Sequence, residues 1–261
     1  MYVGVEGKML LVTGGTQGVG RAVAIEAARS GAEGVMITGR NGRRGAAVAE
    51  ELEALGVEAG FVDAALDDPD APAAIVQATL DRFGRIDALV NAAALTDRGS
   101  VAEADIDVFD RLFAVNTRAP LFLMQELIRH LRGRHAHGGV VNILSVNAHG
   151  GTPDLGIYAA SKAALATLTR NAAYSHRYDR VRVNGILLGW ADTPGERAMQ
   201  AVTLGKGEGW LAQAEASMPW GRLIKPEDVA RLVIFLLSDV SIPMTGALID
   251  QDQHYVVGVR D

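Results

Sequence analysis

Met9-Leu10-Leu11-Val12 runs directly into Thr13-Gly14-Gly15-Thr16-Gln17-Gly18-Val19-Gly20, and from Arg21 the apolar residues recur at helical spacing. A short apolar run, a glycine-rich turn and a helix, in that order, open a β-α-β unit. Gly14 permits the tight turn, Gly18 lets the backbone approach a ligand, and Gly20 allows the helix to pack closely on the strand. The first N–H groups of a helix have no intrahelical acceptor, so this turn aims free donors and a positive dipole end at whatever binds there.

Working outward, strand candidates recur at Val35-Met36-Ile37-Thr38, 59–62, Ala88-Leu89-Val90, 140–144, 181–186 and Ala247-Leu248-Ile249. With the first, they make seven. Helical patterns lie between them at 21–30, 45–55, 71–83, 106–132, 158–178 and 227–237. Strands buried on both faces and joined by crossover helices predict an α/β fold with a doubly wound parallel sheet of the Rossmann type. No linker, repeat or low-complexity tract interrupts the chain, so 1–261 is expected to form a single domain. The stretch 189–221, with Trp190, Trp210 and Trp220, reads as irregular. Its length and its place after a strand predict a lid over a substrate.

Charge and composition exclude several classes. Acidic residues outnumber basic ones by 31 to 25, giving a net charge of −6, and the Arg clusters are short, so nucleic acid is not an expected partner. With no cysteine there is no disulfide framework, thiolate nucleophile or Cys-type metal site; no metal is expected. The apolar runs are too short to span a bilayer and the N-terminus lacks a signal-peptide core, which suits a cytoplasmic protein without a membrane partner.

The strand–turn–helix context makes a dinucleotide the natural ligand of Gly14, Thr16, Gln17, Gly18, Val19 and Gly20. After the second strand, an acidic residue would bind a ribose 2′-hydroxyl, whereas an arginine accepts a 2′-phosphate. Here the chain reads Thr38-Gly39-Arg40-Asn41-Gly42-Arg43-Arg44, with no carboxylate. NADP(H) is therefore expected to be preferred to NAD(H), with Arg40 as the main phosphate partner and Arg43 or Arg44 as helpers.

Tyr158-Ala159-Ala160-Ser161-Lys162 opens a helical run, and the four-residue spacing puts tyrosine and lysine on one face. A free phenol has a pKa of about 10, and a nearby ammonium favours its ionised form, making it usable as an acid or base. Ser145 ends a buried-type strand thirteen positions before Tyr158. His149 lies near that serine, but no nucleophile elbow surrounds Ser145, which speaks against a hydrolase.

Taken together, Thr13-Gly-x-x-x-Gly18-x-Gly20, Asn91-Ala92-Ala93-Ala94, Asn116, Ser145, Tyr158-x-x-x-Lys162 and Gly189 to Thr193 resemble the single-domain short-chain dehydrogenase/reductase family, in order over almost the whole chain. The resemblance implies that Ser145 hydrogen-bonds the substrate oxygen, Tyr158 transfers its proton, and Lys162 lowers the tyrosine pKa while holding the nicotinamide ribose. It implies that Asn116 holds a water linking Lys162 to solvent. It places Asp63, Ala64, Asn91, Ala92 and Ala93 by the adenosine, and Ile186, Gly189 and Thr193 by the nicotinamide. Leu188 departs from the family's usual proline, and Asp250-Gln251-Asp252-Gln253 from its glycine-rich turn.

The expected activity is interconversion of a secondary alcohol and a carbonyl. Candidate substrate residues are Ser145, Asn147, Tyr158 and Trp190, with His149, Asp192 and Glu196 as further lining. Their hydrogen-bonding character leans toward a sugar or polyol. The alternatives are an apolar ketone reductase, a non-catalytic nucleotide-binding relative, and an epimerase or dehydratase, for which the chain is short. Apolar residues around the helices at 106–132 and 158–178, including Leu121, Phe122, Leu123, Leu165 and Leu168, predict a homo-oligomer, and the resemblance implies a tetramer.

Overall fold

The computed structural model describes residues 3–254. Seven strands form one sheet: β1 (Met9–Thr13), β2 (Gly34–Gly39), β3 (Glu58–Asp63), β4 (Ala88–Asn91), β5 (Gly138–Ile143), β6 (Val181–Leu188) and β7 (Leu248–Gln251). Their spatial order is β3-β2-β1-β4-β5-β6-β7 and all six pairings are parallel. The chain winds outward from β1 in one direction and returns to β4 on its other side. The gap above β1 and β4 is where such sheets bind ligands.

Side-chain alternation builds two cores from one strand. Leu10 and Val12 point to the face covered by α1 (Gly18–Arg29), α2 (Gly42–Ala54) and α9 (Pro226–Leu237), among Val23, Val48 and Val233. Met9 and Leu11 point to the face covered by α3 (Ala71–Phe83), α5 (Ala119–Gly133) and α6 (Gly156–Ser175), among Ile75, Leu127 and Leu165. Each fully buried aliphatic side chain contributes about 1.5–3 kcal/mol, so the continuous apolar runs stabilise a sheet covered on both faces.

Two expectations change. The pattern read as one helix over 106–132 is α4 (Ile106–Phe113), a π turn at Ala114–Arg118 and α5. The stretch 189–221 is not structureless: it contains α7 (Pro194–Ala198), a second π turn at Met199–Thr203 and α8 (Trp210–Ala216). Thr193 caps α7 by accepting from Glu196 N, and Pro194 occupies its first turn. At the neck of this excursion, Asp192 N donates to Ile224 O at 2.8 Å and Ile224 N to Trp190 O at 3.1 Å. Among the described residues no helix is long and apolar enough to cross a membrane.

Candidate active site

A cleft of about 1000 Å³ opens at the carboxyl ends of β1, β4 and β5. At one end stands the glycine turn. A Cβ on Gly14 would sit 2.8 Å from Ala93 Cα, and one on Gly20 would sit 2.3 Å from Gly14 O, so neither position has room for a side chain. Gly18 has φ +55° and a Cβ there would approach no atom closer than 3.5 Å, so its glycine is required by backbone conformation. Thr13 Oγ1 accepts from Ala92 N and Ala93 N at 3.1 and 3.2 Å, fastening the segment after β4 to the turn. No side chain caps α1, which leaves its first N–H groups for an anion. Cradle and donors fit the diphosphate of a dinucleotide.

Gly14, Thr16, Gln17, Gly18, Val19, Gly20, Arg40, Ala64, Ala92, Ala93, Gly189 and Thr193 all line the cleft. Asp63 does not: it ends β3 with its side chain exposed beside the cleft. Asn91 is buried, donating to Asn142 Oδ1 at 2.8 Å, while its own Oδ1 has no partner among the described residues. Arg40 and Arg44 flank the mouth, with Arg44 bonded to Gln17 Oε1; Arg43 lies outside. Register explains this, because residues 43 and 44 of a helix point about 100° apart. Ile186, expected near the nicotinamide, is fully buried in the core and does not reach the cleft.

Ser145, Tyr158 and Lys162 converge at the cleft floor. Ser145 follows β5, and its Oγ accepts from Asn147 N at 3.2 Å, turning the chain toward α6. Lys162 is 2% exposed and its Nζ donates to the Ile143 carbonyl at 2.8 Å. Burial pulls its pKa down to about 8. Burial pushes the Tyr158 phenol up, the Ser145 hydroxyl bonded to it pulls it back, and the Glu196 charge raises it further. Burial dominates, because desolvation disfavours the phenolate, and the lowering expected from Lys162 is not among the effects acting on the phenol.

Asn116 sits in the first π turn and is fully buried. Its Oδ1 accepts from Leu95 N, and its Nδ2 donates to Leu95 O and Ser161 Oγ, at 2.9, 2.9 and 3.1 Å. Its amide therefore anchors the segment after β4 to α6 and does not line the cleft. Single π turns of this kind recur at functional sites.

Over the floor hang Trp190, Glu196 and Gln200. Trp190 stacks on Trp210 with ring centroids 6.0 Å apart. Asn147 also lines the cleft, its Oδ1 accepting from Thr152 at 2.7 Å. Two expected lining residues turn elsewhere: His149 pairs with Asp250 at 2.7 Å, and Asp192 with Arg197 and Lys225 at 2.6 and 2.9 Å. The departure at Asp250 to Gln253 has a use, since Gln253 accepts from Trp220 N and donates to Arg222 O, tying the segment after β7 to the excursion. Gln200 was missed by sequence reasoning; it is a single glutamine with no motif around it.

Residues 14–255 match the family model described as Enoyl-(Acyl carrier protein) reductase. The chain is 36% identical over 245 residues to the short-chain dehydrogenase/reductase FrzI of a Cladobotryum species, covering 93% of each. It is 34% identical over 236 residues to the sorbitol dehydrogenase of Cereibacter sphaeroides, covering 88% of this chain and 90% of that one. The crystal structure of L-sorbose reductase from Gluconobacter frateurii with NADPH and L-sorbose superposes with a TM-score of 0.92 at 27% identity, covering 99% of this chain and 100% of that one. The chain belongs to the short-chain dehydrogenase/reductase family. It is an NAD(P)-dependent oxidoreductase that interconverts an alcohol and a carbonyl compound.

Proposed function

We propose that the protein is an NADP(H)-preferring oxidoreductase acting on the secondary alcohol or carbonyl of a sugar or polyol. The bound nicotinamide supplies or accepts the hydride. Tyr158 gives its proton to the substrate oxygen in reduction and takes it in oxidation. Ser145 donates a hydrogen bond to the same oxygen. Lys162, one helical turn from Tyr158, carries the charge that favours the phenolate when the reaction runs toward the carbonyl. Asn116 fixes the segment and helix that set this geometry. Arg40 and Arg44 receive the 2′-phosphate, and the glycine turn receives the diphosphate.

The observation that carries this reading is the convergence of Ser145, Tyr158 and Lys162 in one cleft with the glycine turn. Asn147, Glu196 and Gln200 on its walls support a polar substrate. Sorbitol dehydrogenase and L-sorbose reductase among the similar proteins point the same way. The excursion at 189–221 acts as a lid within one domain formed by the whole chain. NADP⁺-linked oxidation across sugars, polyols and apolar secondary alcohols tests the substrate class; turnover of apolar alcohols alone would reject it.

The chain also works as a homotetramer in this proposal. Leu121 and Phe122 project from α5 with 37% and 40% exposure, whereas Leu123 and Leu165, expected on the same surface, are buried in the core. Light scattering at a tetramer mass supports the assembly; a monomer mass rejects it.

A further inference from the structure

Glu196 lines the cleft and is held from two sides. Trp190 Nε1 and Gln200 Nε2 both donate to its Oε1, at 2.7 and 2.6 Å. Among the described residues its Oε2 receives no hydrogen bond. The indole is itself held by its stack on Trp210. Gln200, 4% exposed and set in the second π turn, keeps a buried Oε1 that has no partner among the described residues. Glu196, which lines the cleft, thus keeps one carboxylate oxygen unused among the described residues. Glu196 is near enough to Tyr158 for its charge to act on the phenol, which puts it within electrostatic reach of the reacting oxygen.

We propose that Glu196 selects the substrate, its carboxylate accepting the hydrogen of a hydroxyl on the carbon beside the reacting one. This rests on the polyol reading above and narrows it to neutral vicinal diols and their hydroxyketones. A hydroxyl bonded to a charged acceptor is worth about 1.5–3 kcal/mol, so a diol gains roughly ten- to a hundredfold in kcat/KM over the matching simple alcohol. A substrate carboxylate in the same place meets a like charge inside a partly desolvated cleft and is disfavoured. Trp190 and Gln200 are positioning residues that act through Glu196.

The test compares kcat/KM with NADP⁺ for a vicinal cyclohexanediol, cyclohexanol and a hydroxycyclohexanecarboxylate in the wild type, Glu196→Gln and Trp190→Phe, with NADPH binding checked by fluorescence. Expected are a diol-to-cyclohexanol ratio that falls about tenfold in Glu196→Gln and less in Trp190→Phe, and a hydroxyacid-to-cyclohexanol ratio that rises in Glu196→Gln. A wild type that prefers the diol, beside a Glu196→Gln variant that keeps both ratios, overturns the role of Glu196 while the polyol reading stands. A wild type that oxidises cyclohexanol but no diol or sugar overturns both.

Discussion

Lys162 Nζ donates to the carbonyl of Ile143 at 2.8 Å, a cation from α6 resting on the last residue of β5 inside the protein. Burial holds the folded-state pKa at about 8 against 10.5 for a free lysine. The unfolded chain therefore binds an extra proton between those values, and stability rises with pH across that window; below it, the full cost of burying the charge is present. In Lys162→Met this contribution vanishes. Denaturant titrations of cofactor-free protein should find the wild type gaining roughly 3 kcal/mol on the variant between the two pKa values. Parallel profiles would contradict the burial of a charged lysine.

The proposed cofactor preference has a positional signature. Arg40 and Arg44 line the cleft and Arg43 does not. Arg40→Ala and Arg44→Ala should each weaken NADPH binding about ten- to a hundredfold, the value of a hydrogen bond to a charged group, with little effect on NADH. Arg43→Ala should change either by less than about twofold, within the range of an exposed substitution. Fluorescence titration with both cofactors decides it; equal binding of NADH and NADPH by the wild type would dismiss the preference.

At the neck of the 189–221 excursion, Asp192 is bonded by Arg197 and Lys225, which hold its carboxyl at about 2, well below 3.8. The stabilisation is present above the free value and disappears as pH falls from there toward 2. Asp192→Asn should weaken the charge-assisted bonds by about 1–3 kcal/mol and speed proteolytic cleavage within 192–223 at neutral pH. Unchanged cleavage would mean that other contacts hold the excursion.

Gly20 admits no side chain, since its Cβ would stand 2.3 Å from Gly14 O. Gly20→Ala must push α1 away from the turn, costing about 1–3 kcal/mol, and should abolish tight NADPH binding. Gly133→Ala is the control, because a Cβ there meets nothing within 4 Å. Calorimetric unfolding with and without NADPH reads both effects; cofactor-induced stabilisation retained by Gly20→Ala would contradict the cradle.

The sheet was legible because its central strands are compact apolar runs, and the glycine turn because strand, glycines and helix adjoin in the chain. The break at Ala114–Arg118 was not, because its apolar spacing continues through it and its cause is Asn116 bonding to Leu95, 21 residues away. Likewise α7 and α8 are too short to display a period, and tertiary contacts such as the Trp190–Trp210 stack hold them. The four-residue spacing paired Tyr158 with Lys162, and the family resemblance set Ser145 beside them. Glu196 was named only as lining, since its orientation depends on Trp190 and Gln200 together.

The central claim is that Tyr158 moves the proton in this cleft. The direct measurement is single-turnover reduction of a ketose by Tyr158→Phe, followed through the nicotinamide absorbance, beside NADPH binding to the same variant. The account predicts that reduction slows by about a hundredfold or more, the usual contribution of a positioned acid, while NADPH binds as before. Reduction at the wild-type rate with cofactor still bound would contradict it.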